Sequence, residues 1–256
     1  NFHPLSISGH WMKSRAETDI FLARYKSNGY LDWALQIEGN GYDLTCSNCL
    51  TRGYRNFLYL TGVFDGKADF YPGLMTKELS STNNNSDIFI ASYTTSGNFS
   101  WVRKIPSING FDFPKAITLD TSQNIVLAGY FADDIDFGEE QNSVTFTSIG
   151  KNGATDIFLS KFDSKGKNLW AYQFGADTSG TGLQSEPNSI VTDKLNNIIV
   201  TGTFYGNNFD FDGSQEKFLL SSQDRNDAFI AKYFENGKLW IEEPDSSHLF
   251  LIKPNG

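Results

Sequence analysis

The chain has 256 residues, of which 39% are hydrophobic and 15% aromatic, so its composition suits a large buried core and excludes disorder. Its net charge of −9 excludes a general nucleic-acid or anionic-membrane binder, because both need a basic field on the protein. No apolar run approaches the roughly 18 residues that a membrane-spanning helix requires.

One segment recurs four times along the chain. Each copy has an Asp, an alternating apolar stretch, a Gly ten positions after the Asp and then a Trp. The copies begin at Asp19, Asp87, Asp156 and Asp227, spaced by 68, 69 and 71 residues, and their tryptophans are Trp33, Trp101, Trp170 and Trp240. We predict that the aspartates hydrogen-bond backbone amides at a β corner and that the tryptophans pack between units. Alternatively, the carboxylates could act as the general acid and base of a glycosidase, and the tryptophans could stack against a bound sugar.

The first unit is incomplete at its start. Asn1-Phe2 stands 18 residues before Asp19, as Asp69-Phe70 stands 18 residues before Asp87. The chain is therefore expected to begin just after the second strand of a unit. Trp11 lies outside the repeat pattern and is the better candidate for an exposed contact.

Cys46 and Cys49 are the only cysteines. Their spacing fits a redox pair or half of a zinc site, although zinc would need two more ligands from the three His residues or the carboxylates. Two incidental thiols, or a local disulfide formed in an oxidising compartment, need no further residues. The sequence favours these last two readings and does not choose between them.

Three units are complete, at residues 48–105, 115–174 and 188–242. In the last of them, strands are predicted at residues 189–193, 197–204, 227–233 and 238–242, with Asn236-Gly237 as a hairpin turn. Four antiparallel strands that are apolar on both faces must stack on neighbouring sheets. The predicted fold is therefore an all-β propeller of four-stranded antiparallel blades, formed by residues 1–256 as a single domain.

Two further positions repeat in each complete unit. The pairs Thr61-Gly62, Ala128-Gly129 and Thr201-Gly202 fall at one point of the second strand, which predicts a close approach that excludes larger side chains. An Asp-Phe pair then precedes a connector whose sequence differs between copies. We expect these connectors, and the loops after the fourth strands, to be variable loops that carry binding specificity.

The best metal candidate follows the second strand of the last unit. Asn208, Asp210 and Asp212 place oxygen ligands at positions one, three and five of a calcium loop, with Gly213 at position six. Position twelve is Leu219, which cannot bind a metal, so a solvated acidic strand edge is the alternative. No other cofactor is predicted.

The end of the chain resembles the start of a further unit. Residues 247–256 align with residues 188–197, a first strand and its turn, so residues 1–37 and 247–256 form a split unit with one strand missing. Either the ends meet in a four-bladed ring, or the chain is part of a larger propeller. An open blade edge is an aggregation hazard and should be covered.

The repeated pattern resembles the bacterial β-propeller repeats known as SBBP. The likeness is carried by Asp227–Tyr233, Gly237 and Leu239-Trp240, together with the second strand at residues 197–204. It implies a propeller fold and an extracellular, cell-surface or periplasmic location, since similar units occur in secreted proteins and surface lipoproteins of bacteria. The repeats here are longer than is typical of that family, and it carries no transferable active site.

No residue set argues for catalysis. The three histidines, His3, His10 and His248, lie near the termini, and hydrolase, P-loop and dinucleotide signatures are missing. We predict a non-catalytic module that binds a protein or a glycan, or acts as a scaffold. The alternatives are a carbohydrate-active enzyme that uses rim carboxylates, and a structural subunit whose open blade edges pair with other chains.

Overall fold

A computed structural model describes residues 2, 11–71, 73, 75–83, 85–108, 110–138, 144–150, 153–177, 185–214, 216–223 and 225–240. These residues form β-strands throughout, with one short 3-10 turn at Tyr54–Asn56 and no α-helix. Within them, no helix is long and apolar enough to cross a membrane.

The strands fall into four consecutive units. Unit 1 contains β1 (Ile20–Tyr25) and β2 (Leu31–Gly39). Unit 2 contains β3 (Leu50–Arg52), β4 (Phe57–Phe64), β5 (Lys67–Asp69), β6 (Glu78–Ser80), β7 (Asp87–Thr94) and β8 (Phe99–Ile105). Unit 3 contains β9 (Phe113–Leu119), β10 (Ile125–Phe131), β11 (Asp134–Asp136), β12 (Thr145–Thr147), β13 (Asp156–Phe162) and β14 (Asn168–Phe174). Unit 4 contains β15 (Glu186–Thr192), β16 (Ile198–Phe204), β17 (Phe209–Asp210), β18 (Leu219–Leu220) and β19 (Asp227–Tyr233).

The main sheet of each unit is antiparallel and follows the order of the chain. Units 2 and 3 have four-stranded sheets in the orders β3-β4-β7-β8 and β9-β10-β13-β14. Unit 4 has the order β15-β16-β19, and a bridge between Tyr233 and Leu239 marks the start of its fourth strand. The remainder of that predicted strand, residues 241–242, lies outside the described residues.

The hydrophobic core lies between the sheets. One apolar cluster joins units 1 and 2, a second joins units 2 and 3, and a third joins units 3 and 4. In the second cluster, for example, Ile88 and Ile90 of β7 pack with Leu127 of β10 and Phe158 of β13. Sheets that bury their apolar faces only against one another form a β-propeller, so the predicted architecture is confirmed.

The described residues form an arc with two open end faces. Phe21 on unit 1 is 56% exposed, and Ile230 on unit 4 is 42% exposed. Their counterparts in unit 3, Phe158 and Leu159, are both completely buried. The two end faces are therefore not packed on each other in the described part of the chain.

The repeated glycines of the second strands are sites of close approach, as predicted. A Cβ at Gly62, Gly129 or Gly202 would lie 2.9, 2.5 or 2.7 Å from the ring of Phe89, Phe158 or Phe229, respectively. Each such phenylalanine is the residue directly opposite the glycine on the neighbouring third strand. A backbone carbonyl lies closer still, that of Leu44, Phe113 or Glu186 at 2.3, 2.4 or 2.3 Å, so a larger side chain would clash with both the ring and the backbone.

Each connector supplies the second strand of a short antiparallel hairpin, formed by β5 with β6, β11 with β12, and β17 with β18. That the connectors carry binding specificity stays a prediction. The first strand of each hairpin also pairs with the end of the preceding unit, through Gly39 and Ala68, Ser107 and Ile135, and Gly175 and Asp210. The connectors therefore join neighbouring blades by backbone hydrogen bonds, which is a structural role.

Candidate interaction surface

Among the described residues, the third strand of unit 1 is paired along one edge only. Its strand β1 pairs with β2 alone, whereas β7, β13 and β19 each pair with the second strand of their own unit. The first and second strands of unit 1 are not among the described residues. The side of β1 that would face them is unpaired within the part of the chain that the structure describes.

Three aromatic residues show that β1 occupies the position of a third strand. The rings of Phe2 and Phe21 lie 4.6 Å apart, and the Tyr25 hydroxyl donates a hydrogen bond of 3.0 Å to the Phe2 carbonyl. The same arrangement occurs in unit 2 with Phe70, Phe89 and Tyr93, and in unit 4 with Phe211, Phe229 and Tyr233. These contacts place Phe2 in the position of Phe70, as the alignment predicted, whereas Asn1 lies outside the described residues.

A groove of 410 Å³ runs between β1 and the inner strands of unit 2. We call it the first-unit groove, and its lining includes the side chains of Leu22, Tyr25, Trp33, Leu50, Arg52 and Leu58. Leu50 is 48% exposed here, whereas Ile117 and Ile190, its counterparts in units 3 and 4, are each 6% exposed. The groove therefore occupies the space that a first and second strand of unit 1 would cover.

The lining of this groove is mainly apolar and aromatic, and it also includes the side chains of Arg24 and Arg52. Arg24 donates a hydrogen bond to the Thr95 carbonyl at 2.7 Å and pairs with Asp32 at 3.4 Å. Trp33 donates its indole N–H to the same carbonyl at 3.1 Å. These contacts hold the wall in place, and aromatic and Arg side chains are the types enriched at protein interfaces.

A second groove, of 560 Å³, lies beside the β5–β6 hairpin and is more polar. Its charged side chains pair with one another, Arg15 with Glu38 at 2.5 Å and Lys67 with Glu78 at 2.8 Å. Trp11 lies nearby in the sequence and is 75% exposed. Because its charges are already paired, this groove offers less to a partner than the first-unit groove.

The repeat tryptophans contact the turn of the following unit. A Cβ on Gly97 would lie 2.9 Å from Trp33, and one on Gly166 would lie 2.8 Å from Trp101. Gly237 stands in the same relation to Trp170, at 3.3 Å. Each turn therefore needs glycine both for its positive φ and for this contact. Trp240 instead stacks on Phe234 within its own unit and lies under the Lys232 ammonium, 4.0 Å from the ring centre.

The repeat aspartates accept hydrogen bonds that close each unit. Asp87 accepts from the Thr82 and Ser107 backbone amides, both at 2.8 Å, and pairs with Lys104 at 3.1 Å. Asp156 accepts from the Ile149 amide and the Gln173 side chain, each at 2.6 Å, and burial raises its pKa to about 6. Asp19 and Asp227 likewise accept from the Arg15 and Gln223 amides. These carboxylates hold neighbouring strands together.

The proposed calcium ligands have structural partners of their own. Asp210 accepts from the backbone amides of Asp212 and Phe218, and Asp212 accepts from the amide of Ser214. The amide of Asn208 donates to Ser221 at 3.0 Å. The described residues contain no group of three or more His, Cys, Asp or Glu side chains arranged for a metal. Calcium binding here stays a prediction that the geometry does not favour.

The same hairpin cap occurs in every complete unit. Asp69, Asp136 and Asp210 each accept hydrogen bonds from the backbone amides two and eight residues further on, at 2.8 to 3.1 Å. The Phe that follows is fully buried in units 2 and 3 and 3% exposed in unit 4. The recurrence of Asp-Phe therefore reflects a capped hairpin with a core anchor.

Two buried acids were not predicted from the sequence. Asp43 and Asp112 are each 1% exposed, and each has one side-chain oxygen with no hydrogen-bond partner. Burial raises the pKa of Asp43 to about 7 and that of Asp112 to about 8. The repeated tripeptides Gly41-Tyr42-Asp43 and Gly110-Phe111-Asp112 were the signal that could have found them.

Cys46 and Cys49 form a disulfide, which is one of the two alternatives that the sequence left open. The described residues include no free cysteine. The three histidines lie outside the described residues, as do the predicted strand at residues 247–256 and parts of the loops after the fourth strands.

Comparison with known proteins is consistent with the fold. Over 165 residues, or 60% of its length, the chain is 30% identical to an uncharacterized WD repeat-containing protein of Acanthamoeba polyphaga mimivirus. The chain spans only 11% of that relative's length. No protein-family model matches the chain. WD repeats form four-stranded propeller blades, as do the units described above.

Proposed function

We propose that this chain is a non-catalytic propeller module that binds a protein partner through the first-unit groove. The observation that carries the proposal is Leu50, which lines the groove and is 48% exposed, whereas its counterparts Ile117 and Ile190 are each 6% exposed. Apolar side chains that are exposed together in a groove mark a candidate interaction site. The WD-repeat likeness supports a protein partner, because WD propellers are repeat scaffolds that present binding surfaces.

We also propose an extracellular, cell-surface or periplasmic location, and membership of the SBBP-like repeats. Support for the location comes from the resemblance of the repeats and from the Cys46–Cys49 disulfide, because disulfides persist in oxidising compartments. Fractionation of the native host, with detection of the chain outside the cytoplasm, is the direct test. Recovery in the cytoplasm alone would overturn this part of the proposal.

The binding function is tested by selecting displayed peptides on the full chain. We expect selected peptides to lose about tenfold or more in affinity for a Leu50→Asp variant, because the charge falls on the apolar floor of the groove. Leu195→Asp is the matched control, since Leu195 is 75% exposed on a turn of unit 4. Its affinity for the same peptides should be unchanged.

Peptides that bind both variants equally would place the site elsewhere and overturn the proposal. A glycan array on the same two variants tests the other class of partner. A glycan that binds the native chain and the Leu195→Asp variant, but not the Leu50→Asp variant, would replace the protein partner by a glycan.

A further inference from the structure

The Cys46–Cys49 disulfide closes an insertion that distinguishes unit 2 from units 3 and 4. Leu44 and Cys49 pair with neighbouring positions of β4, and four residues lie between them. At the same place the first strands of units 3 and 4 have two residues, Pro114-Lys115 and Pro187-Asn188. Since those two units form the same sheet without the insertion, a blade of this kind does not need it.

The insertion crosses from unit 2 to the first strands of two other units. The Asn48 carbonyl accepts a hydrogen bond of 3.0 Å from the Ile117 amide of β9, and Asn48 pairs with Ala116 in a parallel bridge. The Asn48 side chain donates a hydrogen bond of 3.0 Å to the Asn188 carbonyl of β15. One residue of the insertion therefore ties the first strand of unit 2 to those of units 3 and 4.

Both sulfur atoms of the disulfide lie against backbone carbonyls of β9. The Cys46 sulfur is 3.1 Å from the Lys115 carbonyl oxygen, and the Cys49 sulfur is 3.6 Å from that of Pro114. A disulfide sulfur has no proton to donate, whereas a thiol is a weak hydrogen-bond donor. Acceptors for the two reduced cysteines are therefore already in place, and the structure accommodates both oxidation states.

The two sulfur atoms differ in access. Cys49 is completely buried, whereas Cys46 is half-buried, and an attacking thiolate must reach the sulfur that it attacks. The ring that the disulfide closes spans only residues 46–49, so the bond removes less chain entropy from the unfolded state than one that closes a long loop. Cys46 is therefore the sulfur open to exchange, and the fold does not depend on the bond.

We infer that the Cys46–Cys49 disulfide is a thiol-exchange site for a dithiol, and that its reduction releases the insertion from units 3 and 4. One thiolate of the dithiol attacks the Cys46 sulfur, the bond to Cys49 breaks, and Cys49 leaves as a thiolate that takes up a proton. The second thiolate of the dithiol then attacks the reagent's own sulfur in the mixed disulfide and frees Cys46, which also takes up a proton. The dithiol is oxidised to a disulfide while the cysteine pair is reduced. The inference does not depend on the first-unit groove.

The test reduces the full chain with dithiothreitol in the absence of denaturant and follows hydrogen exchange of single amides by NMR. The Ile117 amide should exchange about tenfold faster or more after reduction, because the insertion no longer holds its acceptor in place. The Asp210 amide is the matched control, since it donates to the Gly175 carbonyl at 2.9 Å between units 3 and 4, away from the disulfide. Its exchange should be unchanged.

Two single variants identify the sulfur that is attacked. In Cys49→Ser the remaining Cys46 thiol should react with a chromogenic aromatic disulfide about tenfold faster or more than the Cys49 thiol does in Cys46→Ser. In the double variant, Cys46→Ser with Cys49→Ser, the Ile117 amide should exchange fast with or without dithiothreitol. That result would show that the reductant acts through this disulfide.

A disulfide that resists dithiothreitol until the chain is denatured would overturn the inference. So would an Ile117 amide that stays equally protected after reduction. Faster exchange of the Asp210 amide together with that of Ile117 would show that the bond is a staple for the whole fold, which also overturns it. Equal reactivity of the two single variants would contradict attack at Cys46.

Discussion

Units 1 and 3 carry nearly the same third strand, yet that strand has opposite surroundings in the two units. All seven residues of β13 are buried, whereas only Ile20 and Leu22 of the six residues of β1 are. The two buried residues pack in the apolar cluster shared with unit 2, whereas the described residues leave Phe21, Arg24 and Tyr25 exposed. Burial in this protein is therefore set by the neighbouring unit and not by the residue type.

The largest expected difference between the two units lies at their equivalent phenylalanines. Phe158→Ala should lower the free energy of unfolding by about 3–5 kcal/mol, because it opens a cavity in the cluster between units 2 and 3. Phe21→Ala should cost roughly 1 kcal/mol or less, because half of that ring is already exposed. Urea unfolding of both variants measures the difference.

If Phe158→Ala does not fold, Phe158→Leu replaces it, with an expected loss of about 1 kcal/mol. Equal losses at positions 21 and 158 would mean that Phe21 is as well packed as Phe158, and the contrast between the units would fail.

The second prediction compares the buried acids at the two unit boundaries. The pKa of Asp112 is raised to about 8 and that of Asp43 to about 7, from an ordinary value of 3.8. A raised pKa means that the folded chain holds the proton more tightly, so this stabilising contribution is complete below pH 4 and is lost as the pH rises through 7 to 8. Burial is the main cause at both sites, and nearby carboxylates add to it.

Asp112→Asn should therefore raise the free energy of unfolding at pH 9, relative to the native chain, by roughly 2–3 kcal/mol, and Asp43→Asn by less. At pH 4 both variants should differ little from the native chain, because the carboxyl is protonated there. Denaturation curves at several pH values check this, and a benefit that is equal at pH 4 and pH 9 would contradict it. Burial also raises the pKa of Asp156, so the native chain itself loses stability as the pH rises. Each variant is therefore compared with the native chain at the same pH.

The third prediction concerns tryptophans with and without a following unit. Trp101→Ala should cost about 2 kcal/mol, because its ring covers the Gly166 turn of unit 3. Trp240→Ala should cost about half as much, since its described contacts are with Phe234 and Lys232 in its own unit. Thermal unfolding of the two variants is the measurement, with Trp11→Ala as an exposed control. A larger loss at Trp240 would show that it, too, packs on another unit.

The smallest expected difference is at the hairpin caps, which are local. Asp69→Ala lies between units 1 and 2, and Asp136→Ala lies between units 2 and 3, yet each leaves the same two backbone amides without their acceptor. Each should cost about 1 kcal/mol, and the two losses should agree. Asp→Asn variants, which retain an acceptor oxygen, serve as controls in the same unfolding assay. Losses that differ widely would show that the caps also depend on the neighbouring unit.

The strands of the repeat could be predicted because their signals are local. Asp87, Asp156 and Asp227 begin β7, β13 and β19, and alternation with a turn at the following glycine defines each hairpin. The hairpins of the connectors were missed, because strands of two or three residues show no usable alternation. Their pairing partners lie at the end of the preceding unit, and no local sequence pattern predicts that pairing.

The sequence by itself determined the repeat, the four-stranded sheet and the glycine at a point of close approach in each second strand. All of these features depend on residues that are close to one another in the chain or that recur at a regular spacing. Only the tertiary structure decided that Leu50 and Phe21 are exposed while their counterparts are buried, and that Asp43 and Asp112 lie in the interior. The physical reason is that solvent exposure depends on which sheet packs against a side chain, and four nearly identical segments cannot encode different neighbours within themselves.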